Sequence, residues 1–163
     1  MSETSQRTEP DFVAIADAIA VEAHRGQTDK LGNDYIDHPR SVARRIAPAN
    51  AIVVAAALLH DVVEDSEFTA EDLIVRDIPA EVVAAVQLLT RRDDVPDSDY
   101  YAGIAGDPVA LAVKLADLAD NTDPARLGLL DEAMQTKLIA KYSRAYRALG
   151  REELAAELAQ RAE

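Results

Sequence analysis

Residues 48–65, PANAIVVAAALLHDVVED, pass from an apolar run to a histidine and three carboxylates. The run is hydrophobic on nearly every side through Ala57, which is typical of a helix buried in the middle of a domain. Its length of about 17 residues favours a helix, because strands are usually only roughly three to ten residues long. The segment therefore predicts a central buried helix that ends in a polar cluster.

The polar end of this segment has helical spacing. Asp61, Glu64 and Asp65 are related by i, i+3 and i+4, so one helix face would carry three carboxylates that repel one another. A bound cation would remove that repulsion. The alternative is that His60 and these carboxylates are ordinary helix-end groups facing water, since the chain is acidic throughout.

Composition favours a single all-α domain. The chain has 163 residues and is 48% hydrophobic but only 4% aromatic. This size suits one packed core, and the dominance of Ala, Leu, Val and Ile favours helices over a β-sandwich. We predict a flexible polar tail over residues 1–10 and one domain over residues 11–163. Because the chain has no cysteine, any metal must be bound by His, Asp or Glu.

The charge balance limits the possible partners. There are 30 acidic and 17 basic residues, and the formal net charge of -13 would repel the backbone of DNA or RNA. The N-terminus MSETSQRTEP lacks the pattern of a secretory signal, and no apolar run reaches the roughly 20 residues that span a bilayer. We expect a cytoplasmic protein that binds neither nucleic acid nor membrane, although a local basic cluster could still bind a small phosphorylated ligand.

A second apolar helix with a polar end is predicted for residues 109–121, VALAVKLADLADN. Asp117 and Asn121 are related by i, i+4, and Lys114 precedes Asp117 by one turn. A carboxylate, an amide and an ammonium group could therefore face one cavity. Asp117 could also be a plain polar-face residue of an amphipathic helix.

A helical stripe near the C-terminus has two interpretations. Met134, Leu138 and Tyr142 recur at helical spacing, and Ala145 and Leu149 continue the stripe. The stripe could belong to the core or to the interface of a possible homodimer. We prefer the core.

Four side chains from separate segments form a candidate metal set. His60 and Asp61 end the first apolar helix, a further histidine lies upstream in the chain, and Asp117 lies on the second apolar helix. Two imidazole nitrogens and two carboxylates suit a divalent ion such as Mn²⁺, Fe²⁺ or Zn²⁺.

Three motifs in order along the chain resemble a known family. AHRGQTDKLGNDYIDHP at 23–39, AALLHDVVEDS at 56–66 and VKLADLADN at 113–121 are similar to the HD-domain metal phosphohydrolases. Within that superfamily they most resemble the small alarmone hydrolases, which remove the 3′-diphosphate of (p)ppGpp. The resemblance implies a compact all-helical bundle of about seven to nine helices.

The resemblance also implies roles for individual residues. The metal ligands of the family fall on His38, His60, Asp61 and Asp117. The catalytic carboxylates beside the metal-bound water fall on Glu64 and Asp65. The residues that would hold the nucleotide are Arg25, Lys30, Tyr35, Lys114 and Asn121. Mn²⁺ is the usual ion, with Fe²⁺, Zn²⁺ and Co²⁺ as alternatives.

The implied activity is metal-dependent hydrolysis of a nucleotide, with (p)ppGpp 3′-pyrophosphohydrolysis by a metal-activated water as the leading reaction. Alternatives are another nucleotide phosphatase, acting for example on NADPH or nucleoside monophosphates, and a non-catalytic HD-type module that binds a nucleotide. The Glu64–Asp65 pair favours an enzyme, because a pure binding module gains nothing from two more carboxylates beside a phosphate.

Two positions depart from the alarmone-hydrolase pattern. Asp29 stands where those enzymes commonly have a second basic residue, and Asp120 stands where many relatives have an aromatic residue or His. Both changes add negative charge near a site for a polyanion, so a less charged phosphate ester is an alternative substrate.

Overall fold

The computed structural model describes residues 10–161, and the regular structure of this part of the chain is helical. The elements are α1 Pro10–Ala23, α2 Asp37–Arg44, α3 Ala51–Leu59, α4 Val62–Asp65, α5 Ala70–Val75, α6 Ala80–Leu89, α7 Asp97–Ala105, α8 Pro108–Asn121, α9 Pro124–Leu127, α10 Glu132–Ala148 and α11 Glu152–Gln160. The all-α prediction is confirmed, and the total exceeds nine because α4 and α9 are single turns of four residues. The predicted tail lies outside the described residues except for Pro10, which begins α1.

Helix α3 lies at the centre of the fold and packs against α1, α2, α6 and α8. Residues 55–59 are all buried, as predicted from the apolar run. Asn50 caps its N-terminus, since the Asn50 side chain accepts hydrogen bonds from the backbone N–H groups of Ile52 and Val53. Burial on all sides places the polar C-terminal end of this helix inside the molecule.

The central helix is shorter than the sequence predicts, because it breaks at His60 and Asp61. The expectation of one helix through Asp65 was wrong. His60 turns its ring back so that Nδ1 lies 2.6 Å from the Ala57 carbonyl oxygen, and Asp61 adopts φ -104° and ψ -3° before α4 begins. The Asp65 N–H still donates to the Asp61 carbonyl at 2.9 Å, so the i, i+4 relation of the two carboxylates survives the break.

Helix α8 packs against α2, α3, α6 and α7 and supplies the second polar cluster. Asp107 caps its N-terminus by accepting a hydrogen bond from Ala110 N–H, and Pro108 occupies the first turn, where a missing N–H costs nothing. Asp117 and Asp120 are buried near the opposite end. The predicted helix over 109–121 is confirmed within one residue.

The loop between α1 and α2 positions His38 at the centre of the fold. Gly26 and Gly32 have φ of 79° and 83°, a conformation that other residues rarely adopt. An isolated bridge in the same loop joins Thr28 to Asp34. This compact loop places His38 in the first turn of α2, where its side chain is 4% exposed.

The C-terminal stripe belongs to the core, as preferred from the sequence. Leu138, Ala145 and Leu149 are buried, and Met134 and Tyr142 pack against the core while partly exposed. None of the helices within residues 10–161 has the combination of length and apolar character that crossing a membrane requires.

Candidate active site and metal centre

A cavity of about 880 Å³ opens where the α1–α2 loop, α4, α8 and α10 meet. Ten of the eleven residues predicted for the site line it: Lys30, Tyr35, His38, His60, Asp61, Glu64, Asp65, Lys114, Asp117 and Asn121. Arg25, the remaining one, is exposed and does not line this cavity. The structure thus brings together residues from distant parts of the chain around one space.

Donor atoms of the four predicted metal ligands converge at the wall of the cavity. His38 Nε2 lies 2.9 Å from Asp117 Oδ1 and 4.0 Å from Asp61 Oδ2. His60 Nε2 lies 3.1 Å from Asp61 Oδ2 and 3.5 Å from Asp117 Oδ1. Metal–ligand bonds of about 2.1 Å place neighbouring donors of one ion about 3.0 to 3.5 Å apart. His38, His60 and Asp61 could therefore hold one divalent ion, and Asp117 Oδ1 lies close enough to both imidazole nitrogens to join them.

The orientation of the two imidazole rings also favours a cation. His60 Nδ1 lies against the Ala57 carbonyl oxygen and His38 Nδ1 lies 2.8 Å from Asp120 Oδ2. Because both partners are acceptors, both Nδ1 atoms carry the proton. Both Nε2 atoms face the ligand carboxylates, so each either carries a second proton or gives its lone pair to a cation held between them. The buried Nε2 of His60 has no hydrogen-bond partner among residues 10–161, so a cation here would satisfy it.

The pKa values of these ligand groups also favour a bound cation. Burial lowers the pKa of His60, but Asp61 and Asp117 outweigh burial and raise this pKa well above its ordinary value. Burial raises the pKa of Asp61, but His60 and the Tyr35 hydroxyl outweigh it and lower this pKa to about 2. Burial also raises the pKa of Asp117, but Lys114, His38 and His60 outweigh it and lower this pKa well below its ordinary value, so the centre holds two ionised carboxylates and attracts positive charge.

Neighbouring side chains fix the two ligand carboxylates. The Tyr35 hydroxyl donates to Asp61 Oδ2 at 2.5 Å. Along α8, Lys114 Nζ lies 3.3 Å from Asp117 Oδ2 and Asn121 Nδ2 donates to Asp117 Oδ1 at 3.0 Å. The predicted i, i+3 and i, i+4 cluster is therefore confirmed as a set of contacts, and its members also line the cavity.

Glu64 and Asp65 lie at the rim beside Asp61. Oxygen atoms of these three carboxylates lie within 4.8 Å of one another. Glu64 Oε1 accepts a hydrogen bond of 2.6 Å from Arg91 N–H, which ties α4 to the α6–α7 loop. Burial, followed by repulsion from Asp61 and Glu64, raises the pKa of Asp65 to about 6. These carboxylates are thus placed where they could receive or release a proton.

A wall of cations and tyrosines, of which the sequence indicated only Lys114, lines the same cavity as the metal ligands. The Arg91 guanidinium carbon lies 4.4 Å from the centre of the Tyr100 ring, and an Arg91 N–H donates to the Tyr101 hydroxyl at 2.9 Å. Lys114 approaches the same Tyr100 ring, at 5.8 Å. Lys141 on α10 also lines the cavity, and burial together with nearby Lys30 and Lys114 lowers its pKa. Only packing of α6, α7, α8 and α10 brings these residues together.

Asp29 and Asp120 each have a basic partner. Asp120 accepts from Arg45 Nε at 3.0 Å and from Arg126 Nη1 at 3.4 Å, besides bonding to His38. Burial raises the pKa of Asp120, but hydrogen bonds from His38, Ser41 and Arg45 outweigh burial and lower it to about 2. Asp29 lies 3.5 Å from Arg126 Nη2, and Asp29 Oδ1 accepts two backbone N–H groups of its own loop. Neighbouring arginines therefore offset the negative charge of Asp29 and Asp120.

Comparison with known proteins gives concordant results. The family model for the HD domain matches residues 16–109, more than half of the chain. A GTP pyrophosphokinase of Streptomyces coelicolor is 36% identical over 114 residues, which is 63% of this chain and 13% of that protein. The guanosine-3′,5′-bis(diphosphate) 3′-pyrophosphohydrolase MESH1 of Danio rerio is 46% identical over 61 residues, 34% of each chain.

A solved structure extends the likeness to nearly the whole chain. It is described as a metazoan ortholog of SpoT that hydrolyzes ppGpp, and it matches with a TM-score of 0.73 over 92% of this chain and 94% of that chain. At 22% sequence identity this likeness shows a common fold. The first curated relatives are much longer proteins, and this chain spans only 13% and 10% of their lengths.

Proposed function

Because this chain belongs to the HD-domain family, we propose that it is a metal-dependent phosphohydrolase that removes the 3′-diphosphate of (p)ppGpp. The observation that carries the proposal is the convergence of two imidazole Nε2 atoms and two carboxylates, at 2.9 to 4.0 Å, in the wall of a nucleotide-sized cavity. Ligand sites for small molecules commonly have volumes of roughly 300 to 1,000 Å³.

The ion would be held by His38, His60, Asp61 and Asp117, and we propose Mn²⁺ as its identity, with Fe²⁺, Zn²⁺ and Co²⁺ as alternatives. Nitrogen and carboxylate oxygen donors without sulfur suit these ions. A divalent ion bound there would supply Lewis acidity toward a phosphoryl oxygen and would lower the pKa of a water molecule.

The protein's own carboxylates would handle the proton. Glu64 and Asp65 adjoin Asp61 at the rim, where a substrate phosphate next to the ion would also lie. Glu64 is anchored through Oε1 to Arg91 N–H, so its position relative to the α6–α7 loop is set before substrate arrives. General acid–base catalysis requires such a group within hydrogen-bond reach of the proton that moves.

The cationic wall favours a substrate with several phosphate groups. Lys30, Arg91 and Lys141 lie around the same cavity, and desolvation together with the positive charge of Lys30 and Lys114 lowers the pKa of Lys141. Cations held this close repel one another, and a polyanion relieves that repulsion. Asp29 and Asp120 are paired with arginine, so their negative charge is no longer a reason to prefer a substrate with fewer charges.

The test is a screen of ppGpp, GTP, GMP and NADPH with the purified full chain and added Mn²⁺, in which pyrophosphate and phosphate are measured separately. We expect pyrophosphate from ppGpp. The variant Asp61→Asn should lose at least about 100-fold in turnover because it removes a ligand charge. The exposed Glu132→Gln on α10 serves as the matched control.

The other outcomes identify the alternatives. Phosphate released from GMP or NADPH, with ppGpp intact, would assign a different nucleotide phosphatase. Tight nucleotide binding by calorimetry, with no product after long incubation with Mn²⁺, would assign a binding module. Both results would contradict the proposed reaction.

A further inference from the structure

The His38 ring lies between two buried carboxylates. Its Nε2 is 2.9 Å from Asp117 Oδ1, and its Nδ1 is 2.8 Å from Asp120 Oδ2. Asp117 and Asp120 are 7% and 4% exposed. They lie three residues apart on α8, so carboxylates from one turn of this helix contact both nitrogens of the His38 ring, which belongs to α2.

The two histidines of the centre are held by different kinds of acceptor. His60 Nδ1 donates to a neutral backbone carbonyl, whereas His38 Nδ1 faces a carboxylate. When an ion lies between His38 Nε2 and Asp117, Nε2 binds it through a lone pair, and Asp120 Oδ2 is then the acceptor for the remaining ring proton on Nδ1. A carboxylate at this position also increases the basicity of a metal-binding imidazole.

We propose that Asp120 is a positioning residue that fixes the tautomer and the ring orientation of His38 for metal binding. The inference rests on the proposed metal site and goes beyond it, because Asp120 does not line the cavity and would contact neither the ion nor the substrate.

Asp120 is itself held from three directions. The Ser41 hydroxyl and Arg45 Nε both donate to Oδ1, from the α2 side, and Arg126 in α9 lies 3.4 Å from Oδ2. Arg126 also approaches Asp29 of the α1–α2 loop at 3.5 Å. A carboxylate with so many partners cannot rotate freely, so the acceptor for His38 Nδ1 is present in a fixed position before an ion binds.

A purely structural role for Asp120 would be to join α8 to α2 through Arg45. Asp123 provides a matched control for this role, because its Oδ2 lies 2.7 Å from Nη2 of the same arginine but it makes no hydrogen bond to His38 in the described structure. Asp123 also caps α9, and Asn preserves such a cap. Asp120→Asn and Asp123→Asn therefore remove the same charge beside Arg45, and only the first touches His38.

The experiment compares Mn²⁺ binding by calorimetry in the wild type, Asp120→Asn and Asp123→Asn, with thermal melting of the metal-free proteins to check folding. We expect Asp120→Asn to weaken Mn²⁺ affinity by about 10- to 100-fold, as removal of such outer partners commonly does, and Asp123→Asn to leave it within about twofold. Equal affinities in the two variants would overturn the proposal.

A second measurement does not depend on any variant folding. Nitrogen-15 NMR of the wild-type protein loaded with diamagnetic Zn²⁺ reports which His38 nitrogen carries the proton. We expect the proton on Nδ1, and a proton on Nε2 would overturn the proposal. A wild-type protein that binds neither Mn²⁺ nor Zn²⁺ would overturn the proposed function as well, whereas metal binding with unchanged affinity in Asp120→Asn would overturn this inference alone.

Discussion

The Tyr35 hydroxyl donates a 2.5 Å hydrogen bond to Asp61 Oδ2, an atom that is also 3.1 Å from His60 Nε2. Tyr35 is 26 residues before Asp61 in the chain, on the α1–α2 loop. The contact therefore couples the conformation of that loop to the geometry of the candidate metal centre.

Removing this hydroxyl should loosen the Asp61 carboxylate. We expect Tyr35→Phe to weaken Mn²⁺ binding about tenfold, since a hydrogen bond to a charged group contributes about 1.5 kcal/mol or more. Calorimetry with the metal-free protein measures this effect. Tyr101→Phe is the matched control, because the Tyr101 hydroxyl bonds to Arg91 and to none of the proposed metal ligands, so its loss should leave metal affinity unchanged.

Arg91 and its neighbour Arg92 form a natural pair for testing the cationic wall. Arg91 stacks on Tyr100 and lines the cavity, whereas Arg92 pairs with Asp94 outside it. We expect Arg91→Ala to raise KM for ppGpp by about tenfold or more, since a charge-assisted contact is worth about 1.5 kcal/mol. Steady-state kinetics of Arg92→Ala should match the wild type, and equal effects of the two changes would show that Arg91 does not contact the nucleotide.

Lys141 offers a second test on a different helix. Lys141 lines the cavity, and Lys137, four residues earlier on α10, is exposed and does not. We expect Lys141→Ala to raise KM for ppGpp severalfold, with a smaller effect on a substrate that carries fewer phosphates, because fewer charges then need a partner. The comparison is KM of the two substrates in Lys141→Ala and Lys137→Ala. A uniform change across both substrates would indicate a role for Lys141 in stability or folding instead.

The cap of the central helix provides a prediction about stability. Asn50→Ala removes the acceptor for Ile52 N–H and Val53 N–H, so the free energy of unfolding should fall by about 1 kcal/mol. Asn50→Ser retains a capping oxygen and should unfold close to the wild type. Denaturant unfolding of the metal-free variants measures both values, and equal loss in the two would argue against a capping role.

Much of the candidate site was predictable because it depends on local order. The spacing of Lys114, Asp117 and Asn121 puts their side chains on one helix face whatever surrounds the helix, and the structure confirms these contacts. The apolar run before His60 likewise determines that this end of α3 is buried. The three motifs that resemble the HD-domain family supplied the grouping of His38 with the others.

The length of the central helix was mispredicted because its break depends on contacts that periodicity does not describe. His60 bonds through its own side chain to the Ala57 carbonyl, and Asp61 is engaged by Tyr35 from another segment. A continuous helix would satisfy the sequence pattern equally well. Interactions outside the helix decide where it ends.

The sequence by itself determined an all-helical chain with two buried helices that end in carboxylates, since hydrophobic periodicity and side-chain spacing are properties of a single helix. Only the tertiary structure decided that Asp120 bonds to His38, 82 residues away, and that Arg91 and Lys141 face the same cavity. Those relations arise from how separate helices pack and orient, and no local pattern along the chain records that arrangement.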